Sequence, residues 1–279
     1  MCLISFALDQ HPDFPLVLAA NRDEFFCRPT AAMDWWTTDS GQEVLAGRDL
    51  QSGGTWLAIA RNGALSAVTN VREGTPETGR LSRGRLPLQA LQAPNTMLAT
   101  RLPREAADYS GFNLLYLEGT TGWYYSNRDA HPGRHVYRGL YGLSNHLLQT
   151  PWPKLVRVRQ KVGNILATGN PDEQSLHREL AAALQDTSPA PDHLLPDTGV
   201  GTGTERFLSS PFVCGEEYGT RATTIVSVSR TGHIRVTEQG WGPCAKRLEC
   251  RTFHWQQEIS GSDIIREIQT PDRRTPDGR

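Results

Sequence analysis

The chain has 279 residues, 38% of them apolar, with 29 basic against 30 acidic residues for a net charge of −1. That length can bury a sizeable core, and the balanced charge excludes a broad electrostatic attraction to nucleic acid or to an anionic membrane. No apolar run approaches the roughly 18 residues of a bilayer span. The N-terminal stretch lacks the basic n-region and long apolar core of a signal peptide, and the five cysteines contain no CxxC pair, so a cytoplasmic protein with free thiols and no transmembrane segment is expected.

In chain order, "CLISFAL" and "FPLVLAA" read as short strands joined by the turn "DQHPD". "GGTWLAIARNGALSAVTN" (53–70) reads as a hairpin turning at Asn62-Gly63. A second hairpin, "FNLLYLEGTTGWYYS" (112–126), places Gly119 and Gly122 at its turn. "PWPKLVRVRQKVGNIL" spaces Leu155, Val158, Val162 and Ile165 as the apolar stripe of a helix that docks on a sheet. "NPDEQSLHRELAAAL" reads as a further helix with Asn170 as N-cap, Pro171 at the first position and Glu173 three residues after the cap. The Pro/Gly-rich stretch 186–205 reads as a long loop or lid, and a third hairpin (223–239) turns at Thr231-Gly232. Hairpins at both ends with helices between them imply an α+β fold of antiparallel sheets covered by helices. We expect one domain over 1–258 and a flexible tail over 259–279.

The densest polar cluster is "AANRDEF" (19–25), which carries Asn21, Arg22, Asp23 and Glu24 off the end of the second strand. Such a cluster is most often a solvated turn with local ion pairs. Here antiparallel pairing of the first two strands brings Cys2 beside it. A small second residue generally allows removal of Met1, and an N-terminal cysteine then combines a thiol with an α-amine that titrates near 7.7–8.0 and can serve as its base. An adjacent arginine would favour the thiolate. Asn70, Asn145 and Arg221 also fall at strand ends; an amide there can donate to a developing oxyanion, although Asn at such positions commonly bonds local backbone. The glycines of "AGRDLQSGGTW" and "SRGR" read as turn residues rather than phosphate cradles, and the tryptophans as packing. The histidines show no metal-binding spacing, so no metal is expected.

Taken together, "MCLISF", "PLVLAANRDEFFCRPT", "LAGRDLQSGGTWLAI", "AVTNVRE", "SRGRL", "GFNLL", "YGLSNHLLQTPWPK" and "EYGTRATT" closely resemble the transport and Golgi organisation protein 2 family, also called the NRDE family. The resemblance implies a four-layer αββα sandwich similar to N-terminal-nucleophile hydrolases. By similarity to the choloylglycine hydrolase and penicillin V acylase group, it implies Cys2 as nucleophile and Asn70 as an oxyanion-hole residue. Asn145 and Arg221 would complete the site. The group's Arg and Asp fall within Asn21–Glu24. They are separated by two residues in the acylases but adjacent here as Arg22 and Asp23; with Glu24 aligned to that Asp, Asn21 takes the arginine's place.

Two functions are implied. One is hydrolysis of a non-peptide C–N bond in a small-molecule amide or acyl substrate, which requires no cofactor. The other is carriage of haem as cargo on the same scaffold, since the family is associated with haem trafficking, Golgi organisation and lipid and acyl-CoA homeostasis.

Overall fold

The computed structural model describes residues 3–75, 79–168 and 172–257. Cys2 and the expected tail lie outside the described residues. Among the described residues, thirteen strands form two antiparallel sheets. The six-stranded sheet has the order β10-β1-β2-β11-β12-β13, built from Gly139–Leu143, Leu3–Leu8, Leu16–Phe25, Tyr218–Val228, His233–Gly242 and Lys246–Gln256. The seven-stranded sheet runs in chain order from β3 to β9: Thr30–Thr37, Glu43–Asp49, Leu57–Ala60, Leu65–Asn70, Phe112–Glu118, Thr121–Ser126 and Gly133–Val136. The helices are α1 (Leu86–Gln92), α2 (Pro94–Thr96), α3 (Leu102–Glu105), α4 (Pro153–Ala167), α5 (Glu173–Ala183) and α6 (Thr202–Phe207).

Side-chain alternation sorts these elements into layers. In β1 and β2, Ile4, Phe6, Leu18 and Ala20 face the other sheet and pack with Leu57, Ile59 and Leu115. Their neighbours Leu3, Val17 and Ala19 face the opposite way, against Leu155, Val158 and Val162 of α4 and Leu176 and Leu180 of α5. On the far side of the seven-stranded sheet, Leu86 and Ala90 of α1 and Leu102 of α3 cover Ala58, Val68 and Phe112. The result is the four-layer αββα sandwich that the resemblance implies.

Local chemistry explains most of these elements. Pro153 opens α4 after the extended Trp152, as a missing N–H costs nothing at the first helical position. Leu155, Val158 and Val162 are buried as expected, and Leu166 rather than Ile165 completes the buried stripe. For α5, Asn170 and Pro171 lie outside the described residues; the cap is Asp172, whose Oδ1 accepts from Ser175 N at 2.9 Å. Gly63 carries the left-handed φ of +82° that closes the β5–β6 hairpin. Gly122, expected at a turn, instead sits within β8 opposite Leu117, and Gly119 alone of that pair makes the turn, at φ +58°.

Residues 186–205 are anchored rather than lid-like. The Glu205 carboxylate is buried, pairs with Arg72 Nη1 at 2.5 Å and accepts from the N–H and hydroxyl of Thr198. A helical turn at Asp192–Leu194 and the start of α6 also interrupt the stretch.

Candidate active site

The strongly polar end of β2 opens into a cleft of about 310 Å³ between the ends of the two sheets. The period of two splits the "NRDE" cluster. Arg22 and Glu24 continue the inter-sheet row, whereas Asn21 faces the helical layer. There Asn21 is fully buried, with Nδ2 donating to Leu184 O and Pro211 O, each at 2.9 Å, and Oδ1 accepting from Thr223 Oγ1 at 2.7 Å. Asn21 therefore ties α5 and the segment after α6 to the sheet and does not line the cleft. Asp23 accepts from Thr220 Oγ1 at 2.7 Å and reaches the cleft wall.

Arg22 is 4% exposed, lies over the Trp56 ring at 4.3 Å and approaches Glu24 Oε2 with Nη2 at 3.6 Å. Stacking on the indole and pairing with Glu24 hold its charge in the wall at modest desolvation cost. Arg28, from the β2–β3 turn, donates through Nε to Asp49 Oδ2 at 2.8 Å and through Nη2 to Ser52 Oγ at 2.9 Å. Burial pushes the Asp49 carboxyl up, but the hydrogen bonds from Arg28 and from the Ser52 and Gln51 amides outweigh it and hold the group below its ordinary range. The cleft thus keeps fixed charges of both signs.

Asn70 closes β6 and faces the cleft. Its Oδ1 accepts from Asn145 Nδ2 at 2.8 Å, and Asn145, itself buried, accepts Arg72 N on its carbonyl at 2.7 Å. With the Asn70 oxygen engaged, its Nδ2 donates to no group among the described residues and is left to the cleft. A second ladder fixes the same corner: Asn113 Nδ2 donates to Thr69 Oγ1 and His146 O, while Tyr124 Oη donates to Asn113 Oδ1. Satisfied buried networks of this kind set side-chain orientation tightly.

Arg221 is elsewhere. It is the extra residue of a bulge between Thr220 and Ala222 in the β2–β11 pairing, and a bulge re-aims its side chain. Nη1 donates to Phe25 O, Arg28 O and Thr30 Oγ1, which clamps the β2–β3 turn. Burial lowers its pKa from the usual arginine value. Of the sequence-derived residues, Arg22, Asp23, Glu24 and Asn70 line the cleft and Asn145 backs it; Asn21 and Arg221 lie outside it; Cys2 is outside the described residues.

These motifs are those of one family. The model of Transport and Golgi organisation 2 matches residues 1–243. The chain belongs to that family. It is 34% identical over 275 residues to the Transport and Golgi organization protein 2 homolog of Bos taurus, covering 92% of this chain and 99% of that one. It is likewise 34% identical over 278 residues to the Homo sapiens homolog, with coverage of 92% and 96%. Among solved structures it is similar to a Caenorhabditis elegans N-acylethanolamine-hydrolyzing acid amidase ortholog, with a TM-score of 0.41 and 12% identity over 75% of this chain and 98% of that one. No helix among the described residues is long and apolar enough to cross a membrane.

In this Transport and Golgi organisation 2 chain, sequence reasoning missed Arg28, Asp49, Trp56 and Tyr218 as cleft residues. The available signal was the glycines read as turns. Thr55 N donates to Gly84 O at 2.9 Å, and a Cβ on Gly54 would lie 2.3 Å from that same oxygen. The two glycines let backbone touch backbone, which brings 82–84 in as a cleft wall. Gly54→Ala must drive these loops apart, at a cost of about 1–3 kcal/mol. A lowered urea midpoint together with reduced cleft ligand binding is the expected result; unchanged values of both would mean the wall does not need this approach.

Proposed function

We propose that the chain is a cysteine N-terminal-nucleophile hydrolase that cleaves a non-peptide C–N bond, with Cys2 as nucleophile after removal of Met1. The observation that carries this reading is the Asn145–Asn70 hydrogen bond of 2.8 Å, which leaves the Asn70 Nδ2 donor facing the cleft. Support also comes from the strand pairing. Leu3 pairs with Asn21 at the cleft end of β2, and Cys2 is one Cα–Cα step of about 3.8 Å from Leu3.

In this mechanism the α-amine takes the thiol proton, and the Arg22 guanidinium favours the thiolate. Sulfur adds to the carbonyl carbon, and the oxyanion accepts from Asn70 Nδ2. Collapse breaks the C–N bond as the α-ammonium returns its proton to the leaving amine. Water, deprotonated by the same α-amine, then hydrolyses the thioester and frees a carboxylic acid. Asn145 is a positioning residue and Glu24 holds Arg22.

The test is intact mass spectrometry on protein whose N-terminal mass lacks Met1, incubated with a panel of acyl amides. A thioester adduct is expected on the wild type and none on Cys2→Ala; Asn70→Ala should slow acylation about 10²–10³-fold. No adduct across the panel overturns the reading. If haem then gives a Soret-band shift that cleft variants abolish, haem carriage replaces hydrolysis.

A further inference from the structure

The edges of the two sheets differ in how they are closed. On β10, Gln149 satisfies the outer side: its Oε1 accepts from Gly142 N, its N–H donates to Gly142 O and its Nε2 donates to Leu140 O. β9 is four residues long, and the β3–β4 pairing is broken by an irregularity between Ala31 and Asp34. β13 has eleven residues and no strand beyond it among the described residues. We propose that this edge pairs with the same edge of a second copy, in a two-fold antiparallel contact that joins two six-stranded sheets into one.

The first half of β13 is guarded and the second half is not. Lys246, Arg247 and Glu249 carry charge in the first half, and a bulge shifts its pairing with β12 between Gln239 and Trp241. Charges and bulges are the devices by which natural edges avoid pairing. Residues 250–256 keep a regular register, from Gln239↔Cys250 to His233↔Gln256, and contain no proline. Their one fixed charge, Arg251, is turned towards β3 and held by Asp34 and Glu249.

Hydrogen-bond parity decides which backbone groups face the edge. Gln257 N donates to Gly232 O at 2.7 Å, and His233 O accepts from Ser229 N, just past β11, at 2.8 Å. Pairs therefore alternate so that 251, 253 and 255 bond β12, whereas Cys250, Thr252, His254 and Gln256 aim N–H and C=O outward. These four set the register. Only Cys250 opposite the partner's Gln256, with Thr252 opposite the partner's His254, engages all of them. A step one way runs into the bulge, and a step the other way sets His254 against itself. The same register places Phe253 against the partner's Phe253 and Arg251 against the partner's Trp255, with no like charges opposed. Phe253 and Trp255 are half-buried on the inter-sheet core. Opposed aromatic pairs on adjacent strands stabilise pairing, and this one covers what a lone sheet leaves open.

The proposal is independent of the hydrolase reading, and its test uses the full chain. Light scattering on the wild type through the micromolar range should give twice the chain mass of 30.9 kDa. Thr252→Pro removes an outward N–H at an exposed edge position, where proline is compatible with a strand. It should weaken association at least about tenfold and leave Tm unchanged. Gln256→Cys tests the register. It sets a thiol opposite the partner's Cys250 at a Cα separation of about 5.5 Å, within disulfide reach, whereas the two positions on one chain lie roughly 20 Å apart. Diamide, which takes up the two hydrogens of a thiol pair, should therefore give a covalent dimer linked between positions 250 and 256 in this variant. The wild type should form no link through Cys250. A monomer across that range, a dimer indifferent to Thr252→Pro, or a dimer in which Gln256→Cys gives no such link overturns the proposal. A monomer whose outward β13 amides resist hydrogen exchange would show that the chain covers this edge itself, and overturns it equally.

Discussion

Glu205→Ala is expected to destabilise the protein by about 3–5 kcal/mol, because it strands the buried Arg72 guanidinium without its counter-charge. The Arg72 and Glu205 side chains are 7% and 3% exposed, and the latter also takes the two hydrogen bonds from Thr198. At roughly 2–4 °C per kcal/mol for a domain near this size, thermal denaturation should show a fall of about 10 °C. The effect should reach the cleft, since Arg72 N donates to the carbonyl of Asn145, which in turn orients Asn70. Replacing both partners, with Arg72→Met and Glu205→Leu together, should recover much of the loss, as paired apolar groups need no solvation. A Tm within about 2 °C of wild type in the single variant would show that water reaches this pair and that its burial carries little energy.

Acid sensitivity should trace to His177. Its ring is buried under α5, with Nε2 2.8 Å from Ser227 Oγ and Nδ1 2.9 Å from Thr237 Oγ1. Burial, with the nearby Arg235 charge, pushes its pKa down to about 3. The folded state therefore prefers the neutral ring. Below an unfolded value near 6.5 the unfolded chain takes up a proton that the folded chain refuses until about pH 3. Stability is full above pH 6.5 and falls through that window by at most about 1.4 kcal/mol per pH unit. Urea midpoints of the wild type and His177→Gln, measured from pH 7 to pH 4, should converge as pH falls. Curves that run parallel would place the acid-labile group elsewhere.

The sheets were readable where alternation is clean and glycine marks the turn, as at Gly63 and Gly232. They were not readable in β3 and β13. In β3 the adjacent Trp35 and Trp36 break the alternation, and β13 opens with the wholly exposed Lys246–Cys250 before Phe253 and Trp255 alternate with polar residues. The cleft was half readable. Asn70 ends β6 and Asn145 follows the end of β10 by two residues; the two strands belong to different sheets, so their meeting across 75 residues is a product of the sheets packing on each other. Arg28 and Asp49 gave no local signal, because their partnership exists only once the β2–β3 turn folds over β4. Arg221 was misplaced because a one-residue bulge, invisible in composition, redirects it. The placement of Asn21 was legible in principle: a strand period of two puts it on the other face from Arg22, and only the compactness of the four-residue cluster hid that.

The position of Asn21 bears on how damage to this protein should be interpreted. Its amide closes three hydrogen bonds at the back of the sheet, one residue from the arginine in the cavity wall. A lesion there would unseat the outer helical shell while leaving every side chain of the cleft chemically intact. Loss of function at the first letter of the signature therefore reports on scaffolding, and only the letters after it can inform on chemistry.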